Sequence, residues 1–86
     1  MIDSKRWIKI KVIFEFSGAI RRPFQESEKE LEFEAGTTIK ESLTILGYTE
    51  KEIRFLVAFK KEVRIPLEEV LREGDKIKIL LPIGGG

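Results

Sequence analysis

Cysteine and histidine are both absent from the 86 residues. Their absence removes disulfides, thiolate nucleophiles, imidazole bases and the usual zinc ligands. Most side-chain catalysis is excluded with them. Asparagine is missing too, and glutamine occurs once, at Gln25. With 36% of residues charged and lysine and glutamate dominant, this scarcity of thermolabile side chains points to a thermophile. No run approaches the roughly 18 apolar residues of a membrane span. The first residues, Met1 to Trp7 with Asp3, Lys5 and Arg6, hold no signal-peptide hydrophobic stretch. A cytoplasmic protein without membrane contact is expected. Nor does one sign of charge prevail: 16 basic and 15 acidic side chains leave a net charge of +1, so no global field favours nucleic acid or an anionic surface.

What is present is patterned for one small domain. Residues 7–16 alternate, with Ile8, Ile10, Val12, Phe14 and Phe16 on one side and Trp7, Lys9, Lys11, Ile13 and Glu15 on the other; this predicts a strand with one buried face. A polar stretch from Ser17 to Lys29 separates it from a second alternating run, Glu30 to Ala35, with Leu31 and Phe33 inward. Antiparallel pairing would set Lys9 and Lys11 against Glu32 and Glu34. Thr38 with Glu41 makes a capping box ahead of Ile39, Leu43 and Leu46, and the helix should stop at Gly47, with Tyr48 folding back. Thr49 to Arg54 reads as a charged connector or a single turn. The run Phe55 to Phe59 reads as a buried strand, Lys60-Lys61-Glu62 as a turn, and Val63 to Ile65 as a short strand ended by Pro66. Leu67 to Leu71 is expected to form an irregular turn with Leu67, Val70 and Leu71 inward. Glu73-Gly74-Asp75 should be a tight turn leading into a last strand, Lys76 to Leu81. The expected order is ββαβββ, a mixed sheet of four to five strands on one main helix, in an α+β fold.

The chain ends Leu81-Pro82-Ile83-Gly84-Gly85-Gly86. Pro82 has no ladder donor, so the chain should leave the sheet there. Residues 1–82 then form the domain and 83–86 a flexible tail, because consecutive glycines have the most backbone entropy to lose and no side chain to bury. They are not a phosphate-cradling loop, which needs a helix after it. A free C-terminal carboxylate can attack the α-phosphate of ATP and become an acyl adenylate. Glycines let such a tail thread a narrow channel in a partner enzyme, since no Cβ blocks the approach. Outward Trp7, Ile13 and Leu80, with Pro82 and Ile83, would form an apolar docking patch beside the tail.

The helix opening at Thr38-Ile39, the Pro66-Leu67 to Leu71 segment, the Glu73-Gly74-Asp75-Lys76-Ile77 turn and the terminal Leu81 to Gly86 resemble the β-grasp, ubiquitin-like sulfur carriers MoaD and ThiS. Ubiquitin-related and small archaeal modifiers share the pattern. The chain departs from many MoaD proteins at Leu81-Pro82, where they carry two prolines, and at Lys60-Lys61-Glu62, where they carry an asparagine-glycine turn. The Ser17 to Lys29 loop is longer than in a minimal ThiS, which points away from the thiazole branch. The resemblance implies no catalytic residue and no bound cofactor in this chain. It implies an ATP-using, ubiquitin-activating-enzyme-like partner that adenylates Gly86, with Gly84 and Gly85 threading its active site. A sulfur donor or sulfurtransferase would then supply a thiocarboxylate for molybdopterin or tRNA thiolation. A MoaD-like chain would be the small subunit of molybdopterin synthase, partnered by the large one; other implied partners are a tRNA-thiolating enzyme, or target-protein lysines and a metalloprotease that removes the modifier. The alternative is a passive interaction module that ignores its terminus. Arg21 and Arg22 beside Pro23 and Phe24 are read as a solvated loop rather than an RNA contact, and Glu68, Glu69, Glu73 and Asp75 as turn formers and solvated charges.

Overall fold

The computed structural model describes residues 8–18, 20 and 22–82. Five strands and two short helices follow in the order β1 (Lys9–Gly18), β2 (Glu28–Glu34), α1 (Ile39–Ile45), α2 (Glu50–Arg54), β3 (Val57–Lys60), β4 (Val63–Ile65) and β5 (Lys76–Leu81). They make one mixed sheet in the order β2-β1-β5-β3-β4. The central pair β1 and β5 is parallel, and the other pairs are antiparallel. Among the described residues no helix is long and apolar enough to cross a membrane.

Alternation decides which face of the sheet is covered. Val12, Phe14 and Phe16 of β1, Phe33 of β2, Ala58 of β3 and Ile77 and Ile79 of β5 are buried together with Ile39 and Leu43 of α1. The expected charge pairing on the other face is present, with Lys9 opposite Glu34 and Lys11 opposite Glu32. Phe16 is the centre of an aromatic cluster, stacked on Tyr48 at 6.0 Å and met edge-on by Phe24 at 5.5 Å. Phe24 is thereby spent on tying the long β1–β2 loop to the core, with Lys29 Nζ 5.3 Å from its ring centre.

The predicted helix start and stop are both realised. Thr38 Oγ1 accepts the Glu41 N–H while Glu41 Oε1 accepts the Thr38 N–H, and at the other end Gly47 adopts φ 107°. There the Tyr48 N–H donates to the Leu43 carbonyl and the Gly47 N–H to that of Thr44, the double bond that closes a helix through a left-handed residue.

Several expectations are corrected. The connector at 49–54 is a second helix, because Thr49 and Glu52 form another reciprocal capping box. Phe55 and Leu56 do not belong to β3: their N–H groups donate to Glu52 and Ile53 and finish α2, so Phe55 is left 59% exposed rather than buried. Val70 points outward, 42% exposed. The segment around it runs extended past the start of α1, bridging Thr38, so alternation sends Leu71 inward and Val70 out. The first strand starts at Lys9 and runs to Gly18, and β2 starts two residues before the predicted Glu30.

The turn at 72–75 is fastened to the sheet. Asp75 Oδ2 accepts the Arg72 N–H, and Glu73 Oε1 accepts that of Lys11. Lys60 Nζ lies 3.1 Å from Asp75 Oδ1 and 3.8 Å from Glu69 Oε2. These carboxylates hold backbone and a lysine in place, and among the described residues no cluster of three or more acidic side chains could hold a metal.

Candidate functional site

The candidate site lies where β5 leaves the sheet after Leu81. Leu80 and Leu81 are half-buried and Pro82 is exposed. Gly18 pairs with Leu81 across the parallel ladder, and its φ of 83° turns the β1 chain away just beside this point. Trp7, Ile83, Gly84, Gly85 and Gly86, on which the tail and part of the docking patch were expected, lie outside the described residues.

Of the expected patch, Ile13 and Leu80 do share the outer face. They are not neighbours. Ile13 is opposite Lys76 and Leu80 opposite Ser17, so four residues, about 13 Å of strand, separate them. Ile13 is flanked instead by Glu30 and Lys76.

The apolar neighbours of Leu80 come from β3. Val57 is directly opposite Leu80, and Phe59 is opposite Lys78, which puts Val57, Phe59 and Leu80 on one face. All three are half-buried, and Arg64 of the edge strand lies opposite Phe59. Reading 55–59 as a wholly buried strand concealed the two β3 residues. The signal that could have found them is the antiparallel register of β3 on β5, because an unbroken apolar run does not reveal which side chains face out.

Phe59 and Leu80 line a shallow outer concavity of about 720 Å³ that runs toward the β3–β4 hairpin and the 73–75 turn. Its walls carry Lys60, Lys61, Lys76 and Lys78 against Glu15, Glu62, Glu73 and Asp75. Four positive and four negative charges leave an apolar strip with a polar, near-neutral rim. That composition suits a protein surface better than a small charged substrate.

At the tip of this hairpin Lys61 and Glu62 both have positive φ, 52° and 66°. Two such residues between paired strands make the mirror-image turn that matches strand twist. Glycine or asparagine is the usual occupant, and here neither is present.

The ThiS family model matches residues 16–86. No curated protein matches. Among solved structures, the crystal structure of SAMP1 from Haloferax volcanii superposes with a TM-score of 0.67 at 11% identity, over 88% of this chain and 99% of that one. The likeness is one of fold, and the fold is β-grasp.

Proposed function

Because the chain belongs to the ThiS family, we propose that it is a ubiquitin-like carrier protein whose Gly86 carboxylate is activated by an ATP-dependent partner enzyme. The carboxylate attacks the α-phosphate of ATP, giving a Gly86 acyl adenylate and pyrophosphate. A hydrosulfide-equivalent donor then attacks the acyl carbon, and AMP leaves with its electron pair. The product is a C-terminal thiocarboxylate, able to deliver sulfur to molybdopterin, a tRNA or another acceptor. The same adenylate, attacked by a lysine amine, would instead give an isopeptide bond to a target protein.

The observation that carries this reading is the reach of the family match to residue 86, so that the matched pattern includes the glycines as well as the fold. The outer strip of Val57, Phe59 and Leu80 supports it, as an apolar docking surface shared by β3 and β5, the strand that leads to the tail. Pro82, exposed next to Leu81, would extend that contact. The chain itself acts as co-substrate, and ATP belongs to the partner.

The test is the intact mass of the protein after incubation with ATP, the activating enzyme of the same organism and a sulfide source. A gain of about 16 Da, one oxygen replaced by sulfur, is expected. No gain with a demonstrably active enzyme would overturn the thiocarboxylate step. Deleting Gly85 and Gly86 separates the carrier from a passive interaction module, since only the carrier loses its activity.

A further inference from the structure

The outer apolar strip does not stop at β3. Val57, which stands opposite Leu80, also lines a second concavity, of about 440 Å³, at the β4 edge of the sheet. Leu56, Ile65 and Leu67 complete its apolar lining, and Arg54 of α2 and Arg64 of β4 both border it. We propose that this edge receives an extended acidic segment of a partner protein, whose carboxylates meet Arg54 and Arg64 while its apolar side chains cover Val57 and Phe59.

Three observations point to that occupant. The first is charge. Arg54 and Arg64 come from different elements and are exposed, and neither makes an ion pair among the described residues. Glu68 also borders the concavity and pairs with neither of them. The strand lysines of the outer face, by contrast, are already matched: Lys9 and Lys11 stand opposite Glu34 and Glu32, Lys76 reaches Glu28 at 3.4 Å, and Lys78 stands opposite Glu15. Two guanidinium groups bordering one concavity repel each other until a carboxylate joins them, and each can take a carboxylate through two parallel hydrogen bonds. The second observation is the backbone. β4 is an edge strand, paired with β3 alone, and the open side of such a strand is a template for an extended chain. A polypeptide therefore suits the place better than a free anion does. The third is continuity, since Arg64 stands directly opposite Phe59 and Val57 belongs to both the strip and the concavity. One segment can meet the apolar and the charged parts together. Only the identity of the partner rests on the carrier reading above, in which the segment belongs to the activating enzyme.

The test uses the full chain and a capped peptide of leucine, aspartate and glutamate, followed by nitrogen–proton NMR. The Nε–Hε signals of Arg54 and Arg64 and the backbone amides of Val63, Arg64 and Ile65 are expected to shift together as the peptide is added. A peptide of the same length with lysine in place of the acidic residues should move none of them. Arg54→Gln combined with Arg64→Gln should weaken binding of the acidic peptide by at least about tenfold, because two charge-assisted contacts are lost. Both side chains are exposed, so the fold should persist, and unchanged signals elsewhere check that it does. No shift with the acidic peptide, equal binding by the double variant, or equal binding of the lysine peptide would overturn the proposal. Inorganic phosphate giving the same Nε–Hε shifts at the same concentration would do so as well, by assigning the arginines to a free anion. Neither ATP nor an activating enzyme is present, so failure here leaves the carrier chemistry standing, and failure of thiocarboxylation leaves this surface standing.

Discussion

Gly18 lies so close to Leu80 that a side chain on the glycine would push against it: a Cβ built there would stand 2.9 Å from Leu80 Cδ1, the movable end of that side chain, and 3.2 Å from the Leu81 carbonyl oxygen. The glycine's φ of 83° adds a second reason, since L-residues are strained in that region. Gly18→Ala is therefore expected to cost about 1–2 kcal/mol from the backbone alone, and more if Leu80 must leave its rotamer. Urea unfolding measures the loss. An unchanged midpoint would show that β1 can end without this contact.

The two capping boxes should differ in weight. Thr38 starts the helix that buries Ile39 and Leu43, whereas Thr49 starts a helix of five residues that buries only Ile53. Thr38→Ala and Thr49→Ala should each cost about 0.5–2 kcal/mol, with Thr38→Ala the larger. Denaturant midpoints compared at constant m-value check both the sign and the order.

Lys61 and Glu62 occupy left-handed conformations that neither residue favours. Replacing the pair by Asn-Gly should stabilise the protein by about 1–2 kcal/mol. The midpoint of chemical unfolding should rise, and the β3–β4 register should be retained by NMR. A neutral or lower midpoint would mean that these side chains hold the turn by contacts that outweigh the backbone cost.

Lys60 bridges β3 to the 73–75 turn through Asp75, and both side chains are largely shielded, 23% and 13% exposed. Lys60→Met keeps the aliphatic stem and removes the charge. A loss of about 1 kcal/mol is expected, smaller at high salt because the pair is partly open to solvent. A loss independent of salt would assign the effect to packing.

Phe59 is half-buried on the outer face, opposite Lys78 of β5. In the proposed function, Phe59→Glu should weaken capture by the activating enzyme by at least about tenfold, as expected when a central apolar contact is lost. The circular dichroism spectrum and melting temperature should change little. Equal capture of the variant and the unaltered protein would remove the outer strip from the docking surface.

Much of the architecture follows from local patterns that read the same in any context. The alternation of β1 and β5 sorts side chains to two faces whatever lies beyond them, and a threonine with a glutamate three residues later caps a helix from within one turn of chain. For that reason the hairpin register of Lys9 and Lys11 on Glu34 and Glu32 and both ends of α1 were legible. The capping box at Thr49 was equally legible in kind, and was overlooked because one helical turn is too short to show periodicity.

The residues gathered around the end of β5 were not legible in this way. Phe55 to Phe59 is an unbroken apolar run, which carries no period from which a face or a first strand residue can be read. Only the pairing of β3 with β5 aligns Val57 with Leu80 and turns Phe59 outward, and only the closing turn of α2 leaves Phe55 beside Leu81 at the mouth of a groove. The sequence by itself determined the alternating strands β1 and β5, the helix caps and the glycine ending, because each is encoded within a few neighbouring residues. Which side chains surround the root of that ending was decided by tertiary structure, because it depends on strand neighbours more than twenty residues apart, brought into register by burial of the shared core.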